Sequence, residues 1–311
     1  MTAIRTKIPH KATLANTITD LLGIDKDAVY RRLRGEVYFT FAEMAIIAKS
    51  LGISLDNIVG IISAEQSRPI QMVITRQVNP TPDDYKMIKD HLDILEIIKD
   101  EPGTKLMEAS NIFSHYIYND YECITRFYLF KWNQASQLGS ALPYHEIIIP
   151  DQMREMQRQA CECARHISST SYIWDYMIFQ NFVADVKYYA SIQLITKEDV
   201  ALIKNDLSDF LDKIEQIAVT GKHEKTGNEV SLFISDINFD TSYSCLQSKN
   251  IRLSMVRTFV LNATVALDNE VFNEMSHWIR SMQRMSTLIS VSGEKVRSLF
   301  FDAQRKLIDT L

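Results

Sequence analysis

Residues 14–35, LANTITDLLGIDKDAVYRRLRG, hold two short runs with apolar side chains at helical spacing, hinged at Gly23 and stopped at Gly35. Helices this short are marginal alone in water, because nucleation costs more than a few backbone bonds return. The chain must therefore fold them against each other. Leu14, Ile18, Leu21 and Leu22 offer one apolar face, and Ile24, Val29 and Leu33 the other. A glycine at the hinge can take a positive φ without strain. The second helix starts near Asp25. Within it Arg32 stands beside Leu33, and either side of the helix can turn inward by a small rotation. A third helix opens at Thr40, where Thr40 and Glu43 form a capping-box pair. Its expected buried stripe is Phe41, Met44, Ala45, Ala48 and Leu51. Gly52 ends it, and Ser54 can cap a last short helix ending near Gly60.

Two short helices packed at a steep angle leave one projecting, and a projecting helix has the width of the DNA major groove. With Val29 and Leu33 turned inward, Lys26, Tyr30, Arg31 and Arg34 fall on or near the outer face. An arginine can grip guanine through two parallel hydrogen bonds, worth about 1–3 kcal/mol of discrimination. Lys11, Thr13 and Asn16, near the start of the preceding helix, are the candidate phosphate contacts. The segment resembles the helix-turn-helix of phage-repressor-like regulators of the Cro and Xre type. Gly23, Gly35, the apolar positions between them and the following IIAKSLGISLDNI (46–58) carry that likeness, over about fifty residues. The resemblance implies a lambda-repressor-like bundle that binds double-stranded DNA. Arg32 departs from it, since an apolar residue is usual there. The family's first helix is short or missing, which predicts packing borrowed from the linker or body.

Charge agrees in direction. The chain carries −5 overall, but residues 1–60 hold eight Lys/Arg against six Asp/Glu, and the remainder is acidic. A slightly basic end on an acidic chain suits one polyanion-binding surface. The longest apolar run falls far short of the ~20 residues a membrane span needs, and the first residues lack the apolar core of a secretion signal. The expectation is a cytoplasmic protein with no membrane partner. Its four cysteines, Cys123, Cys161, Cys163 and Cys245, then read as free thiols.

The expected organisation is a DNA-binding domain over 1–62, a proline-bracketed linker over 63–82 and a helical body over 83–311. Thr81, Pro82 and Asp84 are helix-start signals. Helices are predicted over 151–167, 171–193 (apolar nearly all round, hence buried), 197–219, 268–286 and 293–310, with Thr196 and Ser292 as caps. Strand-like stretches at 230–235, 241–247 and 251–263 predict a three-stranded antiparallel sheet. The fold class expected is mainly α: the N-terminal bundle plus a larger, mostly helical body with a small antiparallel β-sheet near residues 230–264. The end of the chain, 278–307, resembles a group of uncharacterised bacterial regulators with a similar N-terminal motif, implying a shared architecture.

Cys161, Cys163 and His166 form C-x-C-x-x-H, but zinc wants four convergent ligands and no fourth is evident, so no metal or cofactor is expected. His91, beside Asp90 and Asp93, reads as part of a solvated face. The aromatic belt at 113–132 reads as core. No Gly-rich phosphate loop, His-Glu-x-x-His or nucleophile elbow is present, so no catalytic residues and no enzyme are expected. The leading function is a sequence-specific regulator whose body forms a homodimer. The alternatives are a body that senses a small-molecule or peptide effector, and a protein-interaction adaptor that does not bind DNA.

Overall fold

Local signals decide the first helices. α1 (Lys11–Leu22) ends at Gly23 with φ 65°, and α2 (Lys26–Arg34) ends at Gly35 with φ 82°. Asp25 caps α2 by accepting from the Ala28 N–H at 2.7 Å. α3 (Phe41–Leu51) begins with the expected reciprocal pair: Glu43 Oε2 accepts from the Thr40 N–H, and Thr40 Oγ1 accepts from the Glu43 N–H. The computed structural model describes residues 4, 8, 10–51, 53, 71–136 and 141–311, and the chain divides into two units, Met1–Pro69 and Ile70–Leu311.

The core of the first unit is Ile4, Leu14, Ala15, Ile18, Val29 and Ile47, with Ile8, Leu22, Ile24, Leu33 and Met44 packed around it. One expectation changes here. Phe41 is 82 % exposed and belongs to no buried stripe. It occupies the first turn of α3, before the helix reaches the core, and Ile47 takes its place. Ile4 and Ile8, ahead of the first helix, also pack on this core, joined by a bond from the Ile8 N–H to the Ile4 carbonyl. Gly52, Ser54, the short helix toward Gly60 and positions 63–70 of the linker lie outside the described residues.

The second unit overturns the mainly α reading with its small antiparallel sheet. An eight-stranded mixed sheet runs through it, in the order β1-β7-β6-β5-β2-β3-β4-β8. β1 (Gln71–Val73) leads into α4 (Pro82–Ile98), which starts where its sequence predicts, with Thr81 and Asp84 forming a capping box. β2 (Lys105–Ser110), α5 (His115–Tyr118), α6 (Glu122–Ser136) and α7 (Asp151–Arg165) follow. Next come β3 (Ser169–Asp175), α8 (Ile178–Ser191) and α9 (Lys197–Thr220). β4 (Glu229–Ser235), β5 (Tyr243–Gln247), β6 (Arg252–Thr258) and β7 (Asn262–Ala266) precede α10 (Asn269–Arg284), β8 (Ser286–Leu288) and α11 (Glu294–Ile308). β2, β3 and β4 are parallel and joined through helices, and the other pairings are antiparallel.

The single helix expected over 171–193 is a strand and a helix. STSYIWD pairs on both sides and is almost wholly buried, so no two-residue polar alternation marks it. The same holds for β2, which lies just ahead of the aromatic belt. The stretch 251–263 is two strands of a hairpin, turning at Phe259 and Val260. Ser292 does not cap α11; Gly293 does, with φ 74°.

Side chains alternate across the sheet. Met107, Ala109, Ile173, Phe233 and Cys245 face α10 through Phe272, Ile279 and Met282. On the opposite face Tyr172, Trp174, Val230 and Leu232 pack against α6, α8, α9 and α11. Leu106, Leu246 and Leu253 meet α4 and α7 on that same face. The aromatic belt supplies much of this core: Phe113 lies within 4.7 Å of Phe179 and 4.6 Å of Phe210, ring centre to ring centre.

Candidate functional site

α2 shows its two faces clearly. Lys26, Asp27, Tyr30, Arg31 and Arg34 are exposed, while Ala28, Arg32 and Leu33 are partly covered and Val29 is buried. At 100° per residue the exposed set spans an arc of about 140°. The structure therefore brings Lys26, Tyr30, Arg31 and Arg34 onto one surface. Thr13 and Asn16 are exposed on α1. Lys11 opens that helix, and its side chain lies outside the described residues. His10, at the N-cap of α1, makes no side-chain capping bond.

The ambiguity between Arg32 and Leu33 resolves by pairing. Leu33 packs on the core, and Arg32 turns to Glu43, with Nη2 to Oε1 at 2.9 Å and Nε to Oε2 at 3.3 Å. Glu43 thus serves both the cap of α3 and the register of α2. The Thr40 N–H, followed by Arg32, holds its carboxyl below the usual range. Glu36 sits just past α2 and takes Arg34 through two bonds, at 2.6 and 3.1 Å, with Arg31 at 3.8 Å. Sequence reasoning missed Asp27 and Glu36, the two acids among these cations, and also Tyr38, which is 88 % exposed. The visible signal for Tyr38 was an aromatic in a connecting loop with no helical partner for it.

The second unit contains a cavity of about 740 Å³ between α4, α5, α7 and the face of β2, β5, β6 and β7. Its floor explains it. Ser110, Ser242, Arg257 and Ala263 form one row across the strands, with Glu108, Ser244, Met255 and Val265 beside it. Serines and an alanine leave room where larger side chains would fill the layer. Glu108 is buried and accepts from Ser114 Oγ at 3.0 Å; burial pushes its carboxyl up to about 7. Arg257 donates to Asn111 Oδ1, and burial lowers its pKa. Among the described residues no carboxylate forms an ion pair with Arg257. His91 is not on a solvated face; it is partly buried in the cavity wall, 2.9 Å from the Tyr116 hydroxyl. Burial holds the His91 ring down to about 4.

The cysteine–histidine cluster points apart. Cys161 meets the His115 carbonyl, Cys163 meets Glu96 at 3.2 Å, and His166 meets Asp100 at 2.9 Å. Among the described residues no three His, Cys, Asp or Glu side chains form a group that could hold a metal ion. No helix among them is long and apolar enough to cross a membrane.

No curated protein and no solved structure matches the chain. Residues 2–84 match the family model of the BetR domain. The matched stretch covers α1 to α3 and runs through β1 into the first turn of α4. The first 84 residues are thus similar to a domain of a helix-turn-helix regulator family, which points to a DNA-binding regulatory domain at this end of the chain.

Proposed function

We propose that the chain is a sequence-specific transcription regulator of the phage-repressor type that lays α2 in the major groove. The exposed arc of Lys26, Tyr30, Arg31 and Arg34 carries this reading. Arginines on that arc read guanine edges, and Asp27 is placed to accept from the amino group of cytosine. Thr13, Asn16 and Lys11, with the start of α1 and the Tyr38 hydroxyl, meet phosphates. The body pairs two chains so that two such helices reach successive turns of duplex. No catalytic step is assigned to the chain.

Mobility shifts of the full chain with a genomic fragment library test this. Salt-sensitive binding to a discrete set of duplexes is expected. Arg31→Ala or Arg34→Ala should weaken binding or relax specificity by about 1–3 kcal/mol. Absence of binding to any duplex, or wild-type binding by both variants, refutes it. A second reading, that the body senses a small molecule, is favoured by one observation: the cavity, whose size is that of ligand pockets. Dimer formation and sensing are compatible roles for the same unit.

A further inference from the structure

We infer that the cavity of the second unit binds a monocarboxylate with an elongated apolar body, its carboxylate on Arg257 and its hydrocarbon toward Leu253. The inference deepens the sensing reading and rests on it only for what the ligand would control.

Three observations carry it. Leu253, Met255 and Arg257 alternate onto the cavity side of β6, so that strand runs from apolar to cationic along the floor. The span is roughly 14 Å at strand rise, the reach of an extended chain rather than of a compact ion. Val265 lies opposite Met255 and extends the apolar end, while Ala263 lies opposite Arg257 and leaves its head uncovered. Arg257 is the second observation. Its guanidinium lines the cavity and has a neutral amide, Asn111, as its side-chain hydrogen-bond partner. Glu108 acts on it electrostatically but is bonded to Ser114 and makes no ion pair with it; an incoming carboxylate would supply that pair in a two-bond geometry suited to arginine. The third is Glu108. Its carboxyl already accepts from Ser114 Oγ, and burial raises it to about 7, so near neutral pH it carries only part of the charge a surface carboxylate would. An ammonium-headed ligand would instead face the Arg257 charge.

The test uses calorimetric titration of the full chain, without DNA, against acetate, octanoate and dodecanoate, with dodecanol and dodecylamine as controls. All are kept below their micelle-forming concentrations. Saturable binding of one dodecanoate per chain is expected, tightening with chain length and at least about tenfold tighter than either control. Arg257→Met should weaken dodecanoate binding at least about tenfold with the near-ultraviolet dichroism unchanged. Ser244→Leu, which fills the floor, should weaken every ligand. Binding of dodecanol or dodecylamine as tight as dodecanoate overturns the proposal. So does absence of binding, or undiminished binding by Arg257→Met. Should the variants not fold, the ligand series on the unaltered chain decides alone. Because no DNA is present, failure here leaves the groove-binding reading standing, and failure of that reading leaves this result untouched.

Discussion

Arg31, Arg32 and Arg34 carry the same charge within one short helix, and two glutamates treat them differently. Glu43 holds Arg32 where both side chains are only 17 % exposed, and it caps α3 with the same carboxylate. Glu43→Ala removes both bonds and should cost about 1–3 kcal/mol. Amide exchange followed by mass spectrometry should show faster exchange confined to residues 26–51, and no local change would contradict that role. Because its carboxyl sits below the ordinary 4.5, this contribution is present above that pH and is lost as pH falls through the lowered value. Glu36 holds Arg34 at the surface, where water and salt screen the ion pair, so a phosphate or base can displace it. Glu36→Gln is expected to tighten DNA binding by about two- to fivefold at low salt. Titrations at two ionic strengths would check both the gain and its shrinkage in salt. The pairing of Arg32 was open in the sequence because its partner lies eleven positions away in the next helix.

Among the elements, those with local punctuation were legible and those without it were not. Gly23, Gly35, Asp25, Thr40, Thr81 and Thr196 each mark a helix end through their own backbone or side chain, and each does so in the structure. β2 and β3 carry no such marks: both faces are buried, so a short apolar run reads as readily as helix. The cavity was illegible for a different reason. Its walls come from residues scattered between 72 and 267, and the room in its floor is left by serines that look unremarkable one at a time. The β6–β7 hairpin is the least ordinary element. Phe259 has φ 45° and Val260 φ 67°, left-handed values that L side chains avoid and β-branched ones most of all. Val260 and Leu261 border the cavity, while Phe259 is 64 % exposed. Phe259→Asn therefore relieves strain with little packing lost, and should stabilise the second unit by about 1 kcal/mol. A raised Tm with unaltered dodecanoate affinity is the expected pair of results.

At the scale of the molecule, three histidines of the second unit govern its response to acid. Burial holds His91 and His223 down to about 4 and His115 to about 3, against an ordinary 6.5. Between those values the unfolded chain takes up protons that the folded one refuses, so stability present above 6.5 is lost as pH falls toward 4. Glu108 runs the other way. Raised to about 7 from 4.5, it favours the fold most below 4.5 and fades as pH rises through 7. Three groups outweigh one, so the Tm of this unit is expected to drop between pH 6.5 and 4. His223→Asn should flatten the drop, as calorimetry at stepped pH would show. The topology adds a different constraint. β1, at residues 71–73, hydrogen-bonds to residues 263–265 of β7. On the ribosome, the opening strand of this unit therefore waits for its neighbour until nearly two hundred further residues have been made. Residues 1–69 need no such delay, since their core is drawn from their own sequence. A stalled nascent chain ending before β7 would thus carry a finished amino-terminal bundle trailing an edge strand still without its mate.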